Sequence, residues 1–237
     1  EKRIIDYCRQ KNIIFLSTPF SREACDRLES MDVQAYKIGS GECNNLPLIH
    51  YVASKNKPII LSTGMNDMNS ISKTVQIIKS HNTPLILLHC TSMYPTPYDK
   101  VRLGAINDLQ DNFPDIPVGF SDHSLGIAAS LGSIALGSCI IEKHFTISRS
   151  WPGPDTGISI EPSELKSLID HSKQIWESRG GSKNILEEEK PVIDFAYASV
   201  VSIKSIKKGE KFSLDNIWVK RPGNGELLSD KKIEIKK

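Results

Sequence analysis

Two histidines stand where a strand should end. His123 closes the run Val118-Gly119-Phe120-Ser121-Asp122-His123, and His144 sits in Ile140-Ile141-Glu142-Lys143-His144-Phe145. Each follows a short apolar run, and residues 124–137 between them read as a helix. Consecutive parallel strands of an α/β barrel would bring both imidazoles to one C-terminal rim, where barrel enzymes build their active sites. Two converging neutral imidazoles begin a divalent-metal site. A single histidine at a strand end is more commonly a hydrogen-bonded structural residue. The placement of two on neighbouring strands shifts the reading toward a ligand pair.

Polar clusters follow the other strand candidates as well. They are Ser17-Thr18-Pro19-Phe20, then Lys37-Ile38-Gly39-Ser40-Gly41-Glu42-Cys43-Asn44-Asn45, then Ser62-Thr63-Gly64-Met65, then His89-Cys90-Thr91-Ser92-Met93-Tyr94-Pro95. Lys37 with the hydroxyls of Thr18, Ser40, Ser62, Thr63 and Ser121 could surround a phosphate: hydroxyls and loop N–H groups donate, and lysine supplies the countercharge. Gly39, Gly41 and Gly64 let the backbone approach closely. Ser-Thr-Gly after a strand is also a common helix cap, and no single run is a P-loop. Their recurrence at one rim is the signal. Glu142 and Lys143 read as a strand end, His89 as structural, and His50, His81 and His171 as solvated helix residues. Cys43 and Cys90 have no evident base, which argues against a cysteine nucleophile.

The elements that must position these groups alternate along the chain. Strand candidates are 13–17, 35–38, 58–62, 84–88, 117–120 and 139–142. Helix candidates are 1–11, 21–31, 46–54, 68–81, 101–112, 124–137 and 161–178. Continuous apolar strands between amphipathic helices predict a parallel sheet covered on both faces. The roughly twenty-to-thirty-residue repeat favours a (β/α)8 TIM barrel. Six strands are counted where a closed barrel has eight, so the expectation is a barrel lacking its first two strands. Composition changes after Arg179-Gly180-Gly181. The expected division is a barrel over 1–180, a polar linker over 181–196, and part of a small β-rich domain over 197–237. In that last part 198–202 and 217–219 read as strands, 207–210 as a turn, and Pro222-Gly223-Asn224-Gly225 as a strong turn signal.

The chain has 237 residues, 39% of them hydrophobic, enough for one sizeable core. Its net charge of +2 gives no basis for nucleic-acid binding or a polybasic membrane face. The five cysteines are scattered without CxxC spacing and read as reduced thiols, so a cytoplasmic location is expected. No apolar run approaches a membrane span.

The ordered motifs then carry a family resemblance. Tyr36-Lys37-Ile38-Gly39-Ser40-Gly41-Glu42-Cys43-Asn44-Asn45, Ile60-Leu61-Ser62-Thr63-Gly64-Met65, Tyr94-Pro95-Thr96-Pro97, Gly119-Phe120-Ser121-Asp122-His123, Glu142-Lys143-His144-Phe145 and Pro152-Gly153-Pro154-Asp155 resemble the N-acetylneuraminate (sialic acid) synthase family. The resemblance runs over about 4–225. Lys220-Arg221-Pro222-Gly223-Asn224-Gly225 resembles the start of that family's antifreeze-like C-terminal domain.

The resemblance implies a metal-dependent condensation of phosphoenolpyruvate with an N-acetylated amino sugar, typically N-acetylmannosamine. The products are a nonulosonic acid and phosphate; legionaminate and pseudaminate synthases are related members. It implies His123 and His144 as ligands of Mn²⁺ or Mg²⁺. Thr18, Lys37, Ser40, Ser62, Ser92 and Ser121 would bind phosphoenolpyruvate, and Glu42 would stand beside the reacting centre with Lys37. Phe20, Tyr94 and Asp155 would line the sugar site. Arg221 would reach into the partner's barrel in a domain-swapped homodimer. Several sialic acid synthases carry Asn where this chain has Ser92, which bears on the choice of sugar. If the segment is the whole polypeptide, the missing barrel strands imply that it is inactive or unstable alone; a non-catalytic fragment is the alternative from another class.

Overall fold

Five of the six apolar runs become parallel strands. They are β1 (Tyr36–Ile38), β2 (Ile59–Ser62), β3 (Leu85–Cys90), β4 (Val118–Asp122) and β5 (Ile141–Lys143). They pair in chain order, β1-β2-β3-β4-β5, every pair parallel. Parallel neighbours need a crossover, and the crossovers here are helices: α3 (Leu46–Ala53), α4 (Met68–Ser80), α5 (Tyr98–Val101) with α6 (Ala105–Asn112), and α7 (Ala128–Ala135). Helix α1 (Lys2–Gln10) and helix α2 (Arg22–Ser30) precede the sheet, and α8 (Pro162–Ser178) follows it. The computed structural model describes residues 2–221 and 226–227.

The core lies between sheet and helices. Tyr36, Ile38, Ile59, Leu61, Leu87 and Phe120 are buried and pack with Leu48, Ile49 and Val52 of α3 and Val75 and Ile78 of α4. Each such aliphatic side chain contributes about 1.5–3 kcal/mol of burial. Both faces of β2 and β4 are covered, which is why Ile59-Ile60-Leu61 of β2 is apolar without alternation. The helices start where local chemistry prescribes. Ser21 accepts from the Ala24 N–H at 3.2 Å, Asp67 from the Ser70 N–H at 2.8 Å, and Glu161 with Glu164 closes a capping box on α8.

Three expectations are corrected. The run 13–17 is not a strand: Ile13 and Ile14 are exposed, and one backbone bond, Lys37 N–H to Ser17 O at 3.2 Å, ties the segment to β1. The helix expected over 101–112 is broken at Arg102, which is left-handed (φ 56°). Carbonyls that a continuous helix would use are taken by residues of the β3 end. Thr91 Oγ1 donates to Lys100 O (3.0 Å), and His89 Nε2 bonds Val101 O (2.8 Å). The helix expected from 124 begins at Ala128, because the Ser124 N–H is bound by Asp122 Oδ1 at 2.8 Å and Gly126 has φ 63°.

The chain divides into two compact units, 1–180 and 181–237. Within the stretch expected as a linker, Glu187–Glu189 form a 3-10 turn and α9 spans Lys190–Ala196. In the second unit β6 (Ser199–Ser202) pairs antiparallel with both β7 (Ile217–Lys220) and β8 (Glu226–Leu227). The turn expected at 222–225 lies outside the described residues.

Candidate functional site

The C-terminal ends of β1–β5 bring three groups of side chains to one rim. In the first, Lys37 at the middle of β1 donates from Nζ to Ser62 Oγ at the end of β2 (2.8 Å) and to Ile38 O (3.1 Å). Its ammonium is also 3.4 Å from Glu142 Oε2 on β5, and Glu142 Oε1 accepts from Ser121 Oγ on β4 (2.7 Å). One carboxylate therefore neutralises the lysine and holds a hydroxyl. Glu142 was expected to be a mere strand end; the register Ser121↔Glu142 aims it into the group. A charged residue in the middle of a three-residue strand gives no sequence signal of which way it points. The register supplies that information.

The second group surrounds Gly64. The Gly64 N–H donates to Ser40 Oγ at 3.0 Å. A Cβ at this position would lie 2.4 Å from Ser92 Oγ, 2.8 Å from Ser40 Oγ and 3.2 Å from Cys90 Sγ. Only glycine leaves room for three polar side-chain atoms to converge. The Ser92 hydroxyl is buried with no hydrogen-bond partner. A buried unpaired hydroxyl beside a backbone N–H is a ready donor for an incoming oxygen.

The third group holds the histidines. Both follow their strands directly, and their ring centroids are 5.3 Å apart. Tyr94 stacks over His123 (4.1 Å) and meets His144 edge-on (5.7 Å). Asp155 Oδ2 lies 3.8 Å from His144 Nδ1. The loop after β3 clamps His123 twice: its Nδ1 bonds Thr91 O (2.8 Å), and its own carbonyl accepts from the Thr96 N–H (2.9 Å). Since a carbonyl can only accept, the proton is on Nδ1 and the Nε2 lone pair is free. Cys90 Sγ, 3.7 Å from His123 Nδ1, links the second and third groups. Burial pushes the Cys90 thiol up, but the His123 hydrogen bond and charge, with the Ser40 and Ser121 hydroxyls, outweigh it and bring the thiol below its ordinary value. Burial and the neighbouring charge of His123 lower His144. Burial also works against protonation of His123, but the bonds to Cys90 and Thr91 O outweigh it and raise that imidazole.

The donor set fits a divalent ion. His123 presents Nε2 with its other nitrogen fixed by a carbonyl, the arrangement usual for metal-bound imidazole. Among the described residues no group of three or more His, Cys, Asp or Glu is placed to hold a metal. The rim thus offers two imidazoles with coordination positions left for substrate or water, not a closed structural cage.

Other expected residues make no hydrogen bond to these groups among the described residues. Glu42, in the 3-10 turn Ser40–Glu42, accepts from Asn45 Nδ2 (2.6 Å). Thr18 is half-buried with no hydrogen bond to the others, and the Phe20 side chain is exposed. Arg221, exposed at the end of β7, belongs to the second unit. His89 is buried against Phe120 and Val101 O, a structural role. His50 and His81, expected as solvated singly, bond to one another (3.0 Å).

Sequence reasoning missed one further pair. Behind the rim, Lys143 Nζ lies 3.0 Å from Asp122 Oδ2, with both side chains nearly inaccessible. Asp122 also accepts from the Ser124 N–H and hydroxyl and from Ser130 Oγ, and Lys143 donates to Ser124 O.

The NeuB family profile matches residues 1–184, and the SAF domain profile matches residues 197–236. The N,N'-diacetyllegionaminic acid synthase of Campylobacter jejuni is 43% identical over 228 residues, covering 94% of this chain and 68% of that protein. The N-acetylneuraminate-9-phosphate synthase of Mus musculus is 34% identical over 220 residues, covering 92% and 61%. The crystal structure of an N-acetylneuraminic acid synthetase from Leptospira borgpetersenii, in complex with citrate, superposes with a TM-score of 0.77 at 35% identity, covering 81% of this chain and 67% of that one. The chain spans about two thirds of the length of the relatives it matches. No helix among the described residues is long and apolar enough to cross a membrane. With the family profile matching the whole of the first unit and the motifs of the rim in place, the chain belongs to the NeuB family.

Proposed function

We propose that this chain is part of a synthase that condenses phosphoenolpyruvate with an open-chain N-acetylated amino sugar, releasing phosphate and a nonulosonic acid. The observation that carries the reading is the single rim on which the Lys37–Ser62–Glu142–Ser121 chain, the Ser40–Gly64–Ser92 cradle and the His123–His144 pair meet. Lys37 supplies the countercharge for a phosphate or carboxylate of phosphoenolpyruvate, and the hydroxyls of Thr18, Ser40, Ser62, Ser92 and Ser121 donate to its oxygens. Tyr94, Phe20 and Asp155 line the sugar's approach. The enol carbon of phosphoenolpyruvate bonds to the sugar aldehyde carbon as the C=O π bond opens and its oxygen takes up a proton. Water then adds to the cationic carbon so generated, losing one proton, and the C–O bond to phosphate breaks as the new hydroxyl gives its proton to the departing phosphate and becomes the ketone. Glu42 orients that water and accepts its proton. Held by His123 and His144, Mn²⁺ or Mg²⁺ would supply Lewis-acid polarisation of the aldehyde. Holding both substrates in line accounts for much of the rate.

The preferred sugar in this reading is di-N-acetylated. The 43% identity to a legionaminic acid synthase, against 34% to a neuraminate-9-phosphate synthase, supports this, as does the short side chain of Ser92 at the rim. We further place Arg221 at the sugar site of a second copy in a homodimer. The test is phosphate release by the full-length protein with phosphoenolpyruvate and Mn²⁺, offered either N-acetylmannosamine or a di-N-acetylated 6-deoxy sugar. Release with the latter alone supports the reading; release with N-acetylmannosamine alone makes the protein a sialic acid synthase; no release with either removes the synthase reading.

A further inference from the structure

Ser121 and Asp122 pair in register with Glu142 and Lys143. Successive side chains on a strand face opposite sides, so two kinds of rung alternate here. Ser121 with Glu142 faces the rim, and their hydrogen bond shows it. Asp122 with Lys143 faces away, where Asp122 reaches Ser130 of α7. His123 and His144 come next and face the rim again. The ion pair therefore sits directly between the two functional rungs, on the reverse of the sheet.

Every polar atom of the pair is used. Asp122 Oδ1 takes the Ser124 N–H (2.8 Å) and hydroxyl (2.7 Å); Oδ2 takes Ser130 Oγ (2.6 Å) and faces Lys143 Nζ (3.0 Å); Lys143 donates to Ser124 O. Ser124 immediately follows His123, so the network fixes the chain on both sides of that histidine. It also fixes the residue preceding His144. β5 is three residues long and, among the described residues, has a sheet partner on one side only. Just beyond it the His144 carbonyl accepts from the Ile160 N–H (2.8 Å) and Phe145 bridges Ile160, while the Asp122–Lys143 network ties the same stretch to β4.

We propose that Asp122 and Lys143 are positioning residues that set the separation and orientation of His123 and His144, and through them the affinity of the rim for a divalent ion. The inference rests on the reading of the two histidines as metal ligands. A buried, fully bonded pair costs stability when one partner is removed, whereas neutralising both together is tolerated far better. Fold and positioning can therefore be separated.

The experiment measures Mn²⁺ binding to the full chain by electron paramagnetic resonance, with urea unfolding of each variant alongside. Asp122→Asn combined with Lys143→Met removes both charges. The expected result is a cooperatively folded protein whose Mn²⁺ dissociation constant rises about 10–100-fold, the loss typical of removing support behind a ligand. If that variant does not fold, Ser130→Ala, which removes one of the two partners of Asp122 Oδ2 and leaves the ion pair, is measured instead and should weaken binding several-fold. Wild-type affinity in the folded variant overturns the positioning role while leaving the metal site intact. If His123→Ala binds Mn²⁺ as wild type does, the ligand reading itself fails and the inference falls with it.

Discussion

The Lys37 ammonium lies 3.4 Å from the Glu142 carboxylate, and that same carboxylate holds the Ser121 hydroxyl. An internal anion thus occupies the donors proposed for phosphoenolpyruvate. The lysine is nearly buried, with 12% of its side chain exposed, whereas Glu142 is 42% exposed. An incoming anion can displace the more solvated carboxylate and inherit the lysine.

Replacing Lys37 by Met therefore removes the countercharge without emptying the space. Hydrogen bonds to charged groups contribute about 1.5–3 kcal/mol, so KM for phosphoenolpyruvate should rise roughly 10–150-fold, with KM for the sugar little changed. Steady-state phosphate release checks this; an equal rise in both constants would point instead to a general loss of structure.

Gly64→Ala tests the cradle. The new methyl would stand 2.4 Å from Ser92 Oγ and 2.8 Å from Ser40 Oγ, so both hydroxyls must move. The expected outcome is a stability loss of about 1–3 kcal/mol and weaker phosphoenolpyruvate binding. Adding Ser92→Ala to the same chain should recover part of the stability, because the closest clash is gone. Thermal unfolding of the single and double variants gives the comparison.

Chelation should abolish phosphate release, and added Mn²⁺ should restore it. On the proposed reading His123→Ala should lose Mn²⁺ binding outright, since with Nδ1 engaged by Thr91 O the Nε2 lone pair is the proposed ligand. Binding isotherms before and after the substitution measure this directly; full activity in chelator would refute the metal reading.

Away from the site, Tyr36 offers a pH test of the core. Its hydroxyl donates to Glu29 Oε2 at 2.5 Å, and that bond, ahead of the Lys57 contacts, holds the Glu29 carboxyl below its usual range against the opposing effect of burial. A depressed folded value means stability present above the unfolded carboxyl value of about 4.3 and lost as pH falls through the folded one. Tyr36→Phe should cost on the order of 1 kcal/mol at neutral pH, and the gap from wild type should narrow below pH ~4. Urea midpoints at several pH values read it.

The strands were legible because their apolar runs are buried on both faces, as in Ile59-Ile60-Leu61. The run 13–17 looked the same and is not a strand, since apolar composition does not say whether a neighbour is present to bond it. Helix ends were legible where a side chain caps them, as at Ser21 and Asp67. They were not legible at Arg102, where the deciding partners His89 and Thr91 sit at the distant end of β3, nor at Ser124, where the Asp122 side chain two residues earlier takes the N–H that a helix start would use. The rim repeats that division. Lys37, Ser40, Ser62, Ser121 and the two histidines are singled out by type and place, whereas Ser92, Tyr94 and Asp155 enter only through the family resemblance. Glu142 and the Asp122–Lys143 pair become visible only once the register of β4 on β5 is known.

The clamp on His123 is built on main-chain atoms: Thr91 contributes its carbonyl and Thr96 its N–H. Such contacts are indifferent to which side chains the loop carries. Ser92, Met93 and Tyr94 can therefore be exchanged while the imidazole keeps its tautomer and its aim. Under the proposed function, the fold separates the geometry behind the histidine pair from the side chains that would meet the acceptor, so that one rim could take different sugars without rebuilding that geometry.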